Sequence, residues 1–189
     1  DVILPFHVPK KGMCLNVLDH WWRSQMPWVS HDVVAFGKRI DEFLPGNLRN
    51  DADRQSRTRI ITMHTALRVE LVFRWLLTGT GLKKYRQNAG VVCGQKLQDG
   101  LVEWSEINPS VATPTTKDPD GHDVHMELQE CIRRFGREVI QLTHPLFELG
   151  RRTAAAKGIL IADTKFEFGQ VGDALLLIDT LVAGPFIVV

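Results

Sequence analysis

The sequence predicts an α+β fold, and three patterns carry that expectation. Leu15, Leu18 and Trp22 recur at steps of 3 and 4 between Met13 and Met26, the spacing of one helix face. Leu128, Ile132, Phe135, Val139, Leu142, Leu146 and Leu149 sustain the same alternation over a longer stretch. Leu67–Leu77, Ile159–Gly169 and Ala174–Asp179 are instead apolar or alternating runs of strand length. With 189 residues, 44% of them apolar and 24% charged, the chain can bury a sizeable core in one large domain or two small ones.

Taken in order, residues 1–12 read as extended, punctuated by Pro5 and Pro9, and lead into the first helix. Within the mixed segment 31–59, the polar stretch from Pro45 to Arg59 reads as a loop. Glu70 and Arg74 interrupt the apolar strand Leu67–Leu77, which Gly79 and Gly81 then end. Residues 97–124 hold Gly100, Pro109, Pro114 and Pro119 and little periodicity, so a long loop is expected, of a length that usually carries function. Gly136 and Pro145 should break or kink the long helical stripe, and Lys157-Gly158 supplies a basic last turn and a glycine cap. Two strands then flank the turn Gln170-Val171-Gly172-Asp173. The closing run Pro185 to Val189 is apolar and β-branched and is expected inside a sheet. Because the chain also opens at Asp1 without Met, both ends read as cut.

Composition narrows the function. The 23 Lys+Arg nearly cancel the 22 Asp+Glu, and a net charge of +1 argues against a broad footprint for nucleic acid or an anionic membrane. No apolar run approaches the ~18 residues that span a bilayer. Cys14, Cys93 and Cys131 are scattered, with no Cys-x-x-Cys pair, which excludes a disulfide scaffold and points to a reducing, cytoplasmic compartment. The histidines outside the 121–123 segment show no metal-ligand spacing, and Trp21, Trp22 and Trp28 are expected in the core or at an interface, which leaves room for a homo-oligomer.

Chemistry concentrates in Asp163-Thr164-Lys165-Phe166-Glu167-Phe168-Gly169. Side chains alternate in a strand, so Asp163, Lys165 and Glu167 share one face and Thr164, Phe166 and Phe168 the other. The acidic and basic row fits a solvated face with cross-strand ion pairs. The sharper alternative is a magnesium-phosphate site, since Mg²⁺ takes one or two carboxylates plus phosphate oxygens while a lysine neutralises an anion. Asp179, on the returning strand, is expected roughly opposite residues 163–166.

This segment, from Ile161 to Gly169, resembles the second signature of the phosphoribosylaminoimidazole-succinocarboxamide synthase (SAICAR synthetase) family. Val8-Pro9-Lys10-Lys11-Gly12, followed by Leu15, Leu18 and Trp21-Trp22, resembles the family's Ile-Pro-x-Lys-Gly strand-to-helix passage. Val69 to Arg74 with Thr78-Gly79-Thr80-Gly81 and Lys84-Tyr85 is similar to the first signature, and Thr113 to Lys117 with Gly121-His122-Asp123 to the Thr-Pro-Ser-Thr-Lys…His-Asp loop. The four segments stand in the family's order and cover the chain from about Asp1 to Asp179.

The resemblance implies a two-lobed, ATP-grasp-related architecture, with residues 1–66 as the remainder of a nucleotide-side lobe and 67–189 as a central substrate domain. It implies a purine-biosynthetic ligase that joins L-aspartate to carboxyaminoimidazole ribonucleotide using ATP and Mg²⁺. Carried over, Asp163 and Lys165 would be catalytic, lining the site where the ribonucleotide carboxylate is activated. Arg74, Thr80, Lys117, His122 and Asp123 would bind substrate, Lys11 would face the nucleotide, and Glu167 and Asp179 would hold magnesium. Loss of Arg74 is expected to weaken ribonucleotide binding and leave folding nearly intact. The family's N-terminal strands with their Gly-Lys-x-Lys element have no counterpart here, and Asp179-Thr180-Leu181-Val182-Ala183-Gly184-Pro185 stands where the family reads Asp-Glu…Thr-Pro-Asp-x-x-Arg. The alternative expectation is therefore a truncated or non-catalytic member that binds the ribonucleotide without turnover.

Overall fold

The computed structural model describes residue 6, residues 8–117 and 124–179, and the backbone of 186–188. Helix α1 (Lys11–Ser24) is followed by β1 (Val33–Phe36), α2 (Ala52–Arg57) and β2 (Arg59–Ile61). A short β3 (Thr65–Ala66) leads to β4 (Val69–Leu76), α3 (Gly79–Gln87) and the hairpin of β5 (Val91–Val92) and β6 (Gln95–Lys96). Next come β7 (Glu106–Ala112), β8 (Thr115–Thr116), β9 (Val124–His125), α4 (Leu128–Phe135) and α5 (Glu138–Ala155). The order closes with β10 (Ile159–Ile161), β11 (Asp163–Val171), β12 (Ala174–Asp179) and β13 (Phe186–Val188).

Helices and antiparallel strands are segregated as the α+β class requires. The main sheet runs β12-β11-β4-β8-β9, with β3 also on β11 and β7 also on β4. Its dry face is made by Val69, Leu71 and Phe73 of β4 and by Phe166 and Phe168 of β11, packed with Val139, Leu146 and Phe147 of α5. The Phe73 and Phe147 rings lie 5.9 Å apart. Period-2 alternation then sends Glu70, Val72 and Arg74, together with Asp163, Lys165 and Glu167, to the opposite face. The apolar residues of two neighbouring strands thereby assemble the charged ones.

Several expectations need correction. Pro45–Arg59 is not a loop throughout, because it contains α2, whose N-cap Asp51 accepts a 3.0 Å hydrogen bond from the Arg54 amide. That helix is too short and polar to show an apolar stripe. Residues 97–124 are not one long loop either, since β7 and β8 lie there and pair with β4. Pro109 masks β7. It sits in the irregular stretch between the Arg74↔Val111 and Leu76↔Glu106 pairs, where a missing ladder donor is tolerated. Gly136, at φ 87°, separates α4 from α5, whereas Pro145 is carried inside α5 without ending it. The expected strand Ile159–Gly169 divides at Ala162: β10 pairs with β13 and β11 with β4. The β11–β12 turn shortens to Gly172-Asp173, with Val171 opposite Ala174. The closing run does reach a sheet, through β13.

Helix α1 lies where its spacing predicts, and Trp22 of the expected stripe reaches the core, but the rest of its inward face is polar. Asn16, Asp19, Trp22 and Arg23 are buried, while Leu15 and Leu18 are exposed. The neighbours of α1 explain this, because Asn16 donates to the Ser56 and Thr58 carbonyls and Arg23 pairs with Asp19 and Asp32. No helix among the described residues is long and apolar enough to cross a membrane.

Candidate functional site

The register of β4 against β11 places Arg74 opposite Asp163 and Val72 opposite Lys165. Arg74 is buried, and each of its three guanidinium nitrogens has a partner. It pairs with the Asp163 carboxylate, donates at 2.9 Å to Thr113 Oγ1 and donates at 3.2 Å to Thr80 Oγ1. Gly81 makes room for this, since a Cβ there would lie 3.1 Å from Arg74 Cδ and 3.2 Å from Nε. Thr80 and Gly81 belong to the first turn of α3, so the Thr-Gly-Thr-Gly segment is a helix start packed around an arginine. Burial raises the Asp163 carboxyl above the usual range against the pull of Arg74, and the same burial lowers Arg74.

Further along the face, Glu70 is the centre of an ion-paired row. Lys165 Nζ lies 2.8 Å from Glu70 Oε2, and Lys117 Nζ lies 3.5 Å from Glu70 Oε1 while also pairing with Glu167. Thr115 Oγ1 donates to Glu70 Oε2 at 3.4 Å. The carboxylates are sunk and the ammonium groups reach out: side-chain exposure is 9% for Glu70 and 16% for Glu167, against 55% for Lys165 and 41% for Lys117. Burial alone would raise the Glu70 carboxyl, but the hydrogen bonds and charge of Lys165 and Lys117 outweigh it and hold Glu70 below the ordinary value. Lys117 is pushed up in return, its own burial being outweighed by Glu167 and Glu70.

The β11–β12 register pairs Glu167 with Asp179, not residues 163–166 with Asp179 as expected. Directly opposed residues of an antiparallel pair share a face, so these two carboxylates flank one point at the edge of the row. Two acids suit a cation that completes its shell with phosphate oxygens and water. Among the described residues no group of three or more acidic, histidine or cysteine donors converges, so an all-protein metal cage is not present there.

The sequence-predicted residues fall into three sets. Asp163, Lys165, Glu167, Arg74, Thr80, Lys117 and Asp179 all come to this side of the β4–β11–β12 sheet. Lys117 joins the metal candidate Glu167 rather than a separate covering loop. Lys11 is apart from them, in a groove shared by Pro9, Gly12, Ala52, Asp53 and Arg57. His122 and Asp123 lie outside the described residues. The expectation that Arg74 contributes little to folding is revised, because its partner Asp163 is itself buried. Glu70 and Thr113 are site residues that sequence reasoning missed. Glu70 did leave a signal: with Arg74 it interrupts an apolar strand at a spacing of four, which puts both on one face.

An antiparallel sheet with a helical layer on one side and a row of alternating cations and carboxylates on the other is an α+β architecture. The chain belongs to the SAICAR synthetase family, whose model matches residues 1–184. It is 35% identical over 187 residues to the phosphoribosylaminoimidazole-succinocarboxamide synthase of Thermodesulfovibrio yellowstonii, covering 96% of this chain and 63% of that protein. To the same synthase of Streptomyces avermitilis it is 38% identical over 184 residues, covering 95% and 59%. The solved SAICAR synthase of Saccharomyces cerevisiae, complexed with SAICAR, superposes with a TM-score of 0.87 at 29% identity, over 98% of this chain and 65% of that one. SAICAR synthetase from Pyrococcus horikoshii shares the fold at a TM-score of 0.67 and 16% identity. The chain thus spans about three fifths of the length of the curated relatives it matches.

Proposed function

We propose that this chain performs the ligation of its family, joining L-aspartate to carboxyaminoimidazole ribonucleotide with conversion of ATP to ADP and phosphate. The observation that carries the reading is the row Lys165–Glu70–Lys117–Glu167, with sunk acids and outward ammonium groups. A ribonucleotide bearing both a phosphate and a carboxylate, and a nucleoside triphosphate, need cations that are held in place yet free to turn toward a ligand. Lys165 and Lys117 meet that need, because Glu70 anchors both and leaves their remaining N–H donors to a substrate carboxylate or phosphate. The ribonucleotide carboxylate takes up phosphoryl from ATP, and the aspartate amine then displaces phosphate, losing a proton as the amide forms. Water must be kept from the activated carboxyl, and oriented cations must meet the charge that develops. Glu167 and Asp179 are assigned to Mg²⁺: they would hold the ion, and it would supply positive charge against the nucleotide phosphates. Arg74 and Asp163 are assigned to shaping the far end of the site, with Thr80 presented at the helix start. Lys11 and residues 1–66 are assigned to the nucleotide side, and the cytoplasm is the proposed compartment, in keeping with Cys14, Cys93 and Cys131 all being free thiols.

The test is to incubate the protein with ATP, Mg²⁺, L-aspartate and the carboxylated ribonucleotide and to follow ADP and the amide product. Product that depends on all four, and a loss of roughly 10²–10³ in kcat for Lys165→Ala, are expected. Ribonucleotide binding in calorimetry with no ADP formed would replace the ligase reading by the non-catalytic one.

A further inference from the structure

We propose that Arg23 is a positioning residue for the Glu167–Asp179 pair: its guanidinium grips a β-bulge in β12 and thereby keeps Asp179 on the same face as Glu167. The inference rests on the assignment of that pair given above.

The register shows the bulge. Val171↔Ala174, Gln170↔Leu175, Gly169↔Leu176 and Phe168↔Leu177 step regularly, but the next pair is Glu167↔Asp179, so Ile178 is an extra residue. Side chains alternate, and one inserted residue inverts the facing of everything beyond it. Without the insertion Ile178 would oppose Glu167, and Asp179 would oppose Phe166, whose side is the buried core. The bulge is what turns a carboxylate onto the charged face.

A bulge leaves the extra residue's backbone groups outside the ladder, and on this strand Arg23 supplies a partner to the Ile178 carbonyl while also holding the neighbouring Leu177 carbonyl. Its Nη1 donates to the Leu177 carbonyl at 2.9 Å and its Nη2 to the Ile178 carbonyl at 3.2 Å. The arginine is itself fixed, by Asp19 at 2.8 Å from Nε and by Asp32 at 3.1 Å from Nη1, and only 4% of it is exposed. The segment just ahead of β1 clasps the same place, with the Leu177 amide donating to Ser30 at 2.9 Å and the Asp32 amide to Leu177 at 3.3 Å. A planar fork reaches two consecutive carbonyls and a carboxylate at once, which the single ammonium of lysine does not. This also accounts for the polar face that α1 turns inward.

The test uses the full chain and two readouts. Cross-strand proton contacts in NMR report the register, and Mn²⁺ with ADP, followed by electron paramagnetic resonance, reports the site. In the parent, Glu167 contacts Asp179. In Arg23→Met, and in the milder Arg23→Lys should the first not fold, the contact is expected to pass to Ile178, with Mn²⁺ binding weakened roughly 10–100-fold, the range for outer-shell partners of metal ligands. Deleting Ile178 provides the reference spectrum of the regular register. A folded Arg23→Lys that retains the Glu167–Asp179 contact overturns the proposal. If the contact shifts while neither Arg23→Lys nor Asp179→Asn changes Mn²⁺ affinity, the positioning role stands and the metal assignment fails.

Discussion

One buried ion pair and the ion-paired row around Glu70 set the behaviour of the site residue by residue. Arg74 and Asp163 are both nearly inaccessible, and removing one member strands the other's charge in the interior, at about 3–5 kcal/mol. Arg74→Met should therefore lower the unfolding free energy by about that amount in urea titrations, and adding Asp163→Asn should recover part of it. A loss below about 1 kcal/mol, the scale of an exposed pair, would mean that the interior does not hold them as described. Glu70 acts through pH. Its folded-state pKa lies below its ordinary value of 4.5, so the folded protein holds fewer protons there than the unfolded chain. The stabilisation is complete above that ordinary value and is lost as the pH falls below it through the folded-state value. Urea midpoints measured from pH 7 down to pH 3 should fall less steeply for Glu70→Gln than for the parent. Parallel curves would remove Glu70 from the acid limb.

At the scale of elements, the first turn of α3 is shaped by the arginine it covers. An alanine in place of a helix glycine gains at most about 1 kcal/mol from propensity, the interior value, whereas overpacking against a fixed neighbour costs about 1–3 kcal/mol. Gly81 has Arg74 Cδ at 3.1 Å from a notional Cβ, and Arg74 is pinned by Asp163, Thr113 and Thr80, so the cost should win. Gly81→Ala is expected to be neutral to destabilising by up to about 2 kcal/mol in thermal and urea unfolding. A clear gain in stability would show that the arginine has room to move. Elements with strong periodicity were legible in the sequence: α1, α5, β4, β11 and β12 all appear close to where spacing put them. Elements whose formation depends on a partner were not. β7 is a strand because β4 offers it a ladder, and its Pro109 conceals this from any local reading. α2 has six residues and no apolar stripe.

For the molecule as a whole, the charged face was legible because Phe166 and Phe168 had to point into the core, which settles where Asp163, Lys165 and Glu167 go. The central role of Glu70 was not, because it needs the β4–β11 register and the Lys117 side chain arriving beside β8. Nor was the facing of α1, where ion pairs are buried and leucines are left outside, the reverse of what hydropathy implies. Beside the main core there is a second, made by Leu77, Leu82, Tyr85, Val92, Leu97 and Ile107 around α3 and the β5–β6 hairpin. Small packed units of this kind open as cooperative blocks at a free energy below that of global unfolding. Amide hydrogen exchange should then show α3 and the hairpin exchanging together and sooner than β4 and β11, with Leu82→Ala hastening the former and sparing the latter. Since α3 carries Thr80 and Gly81 against Arg74, each such excursion bares one flank of the guanidinium while the sheet beneath stays shut. How often the arginine meets solvent is then governed by the packing of Leu82 and Tyr85.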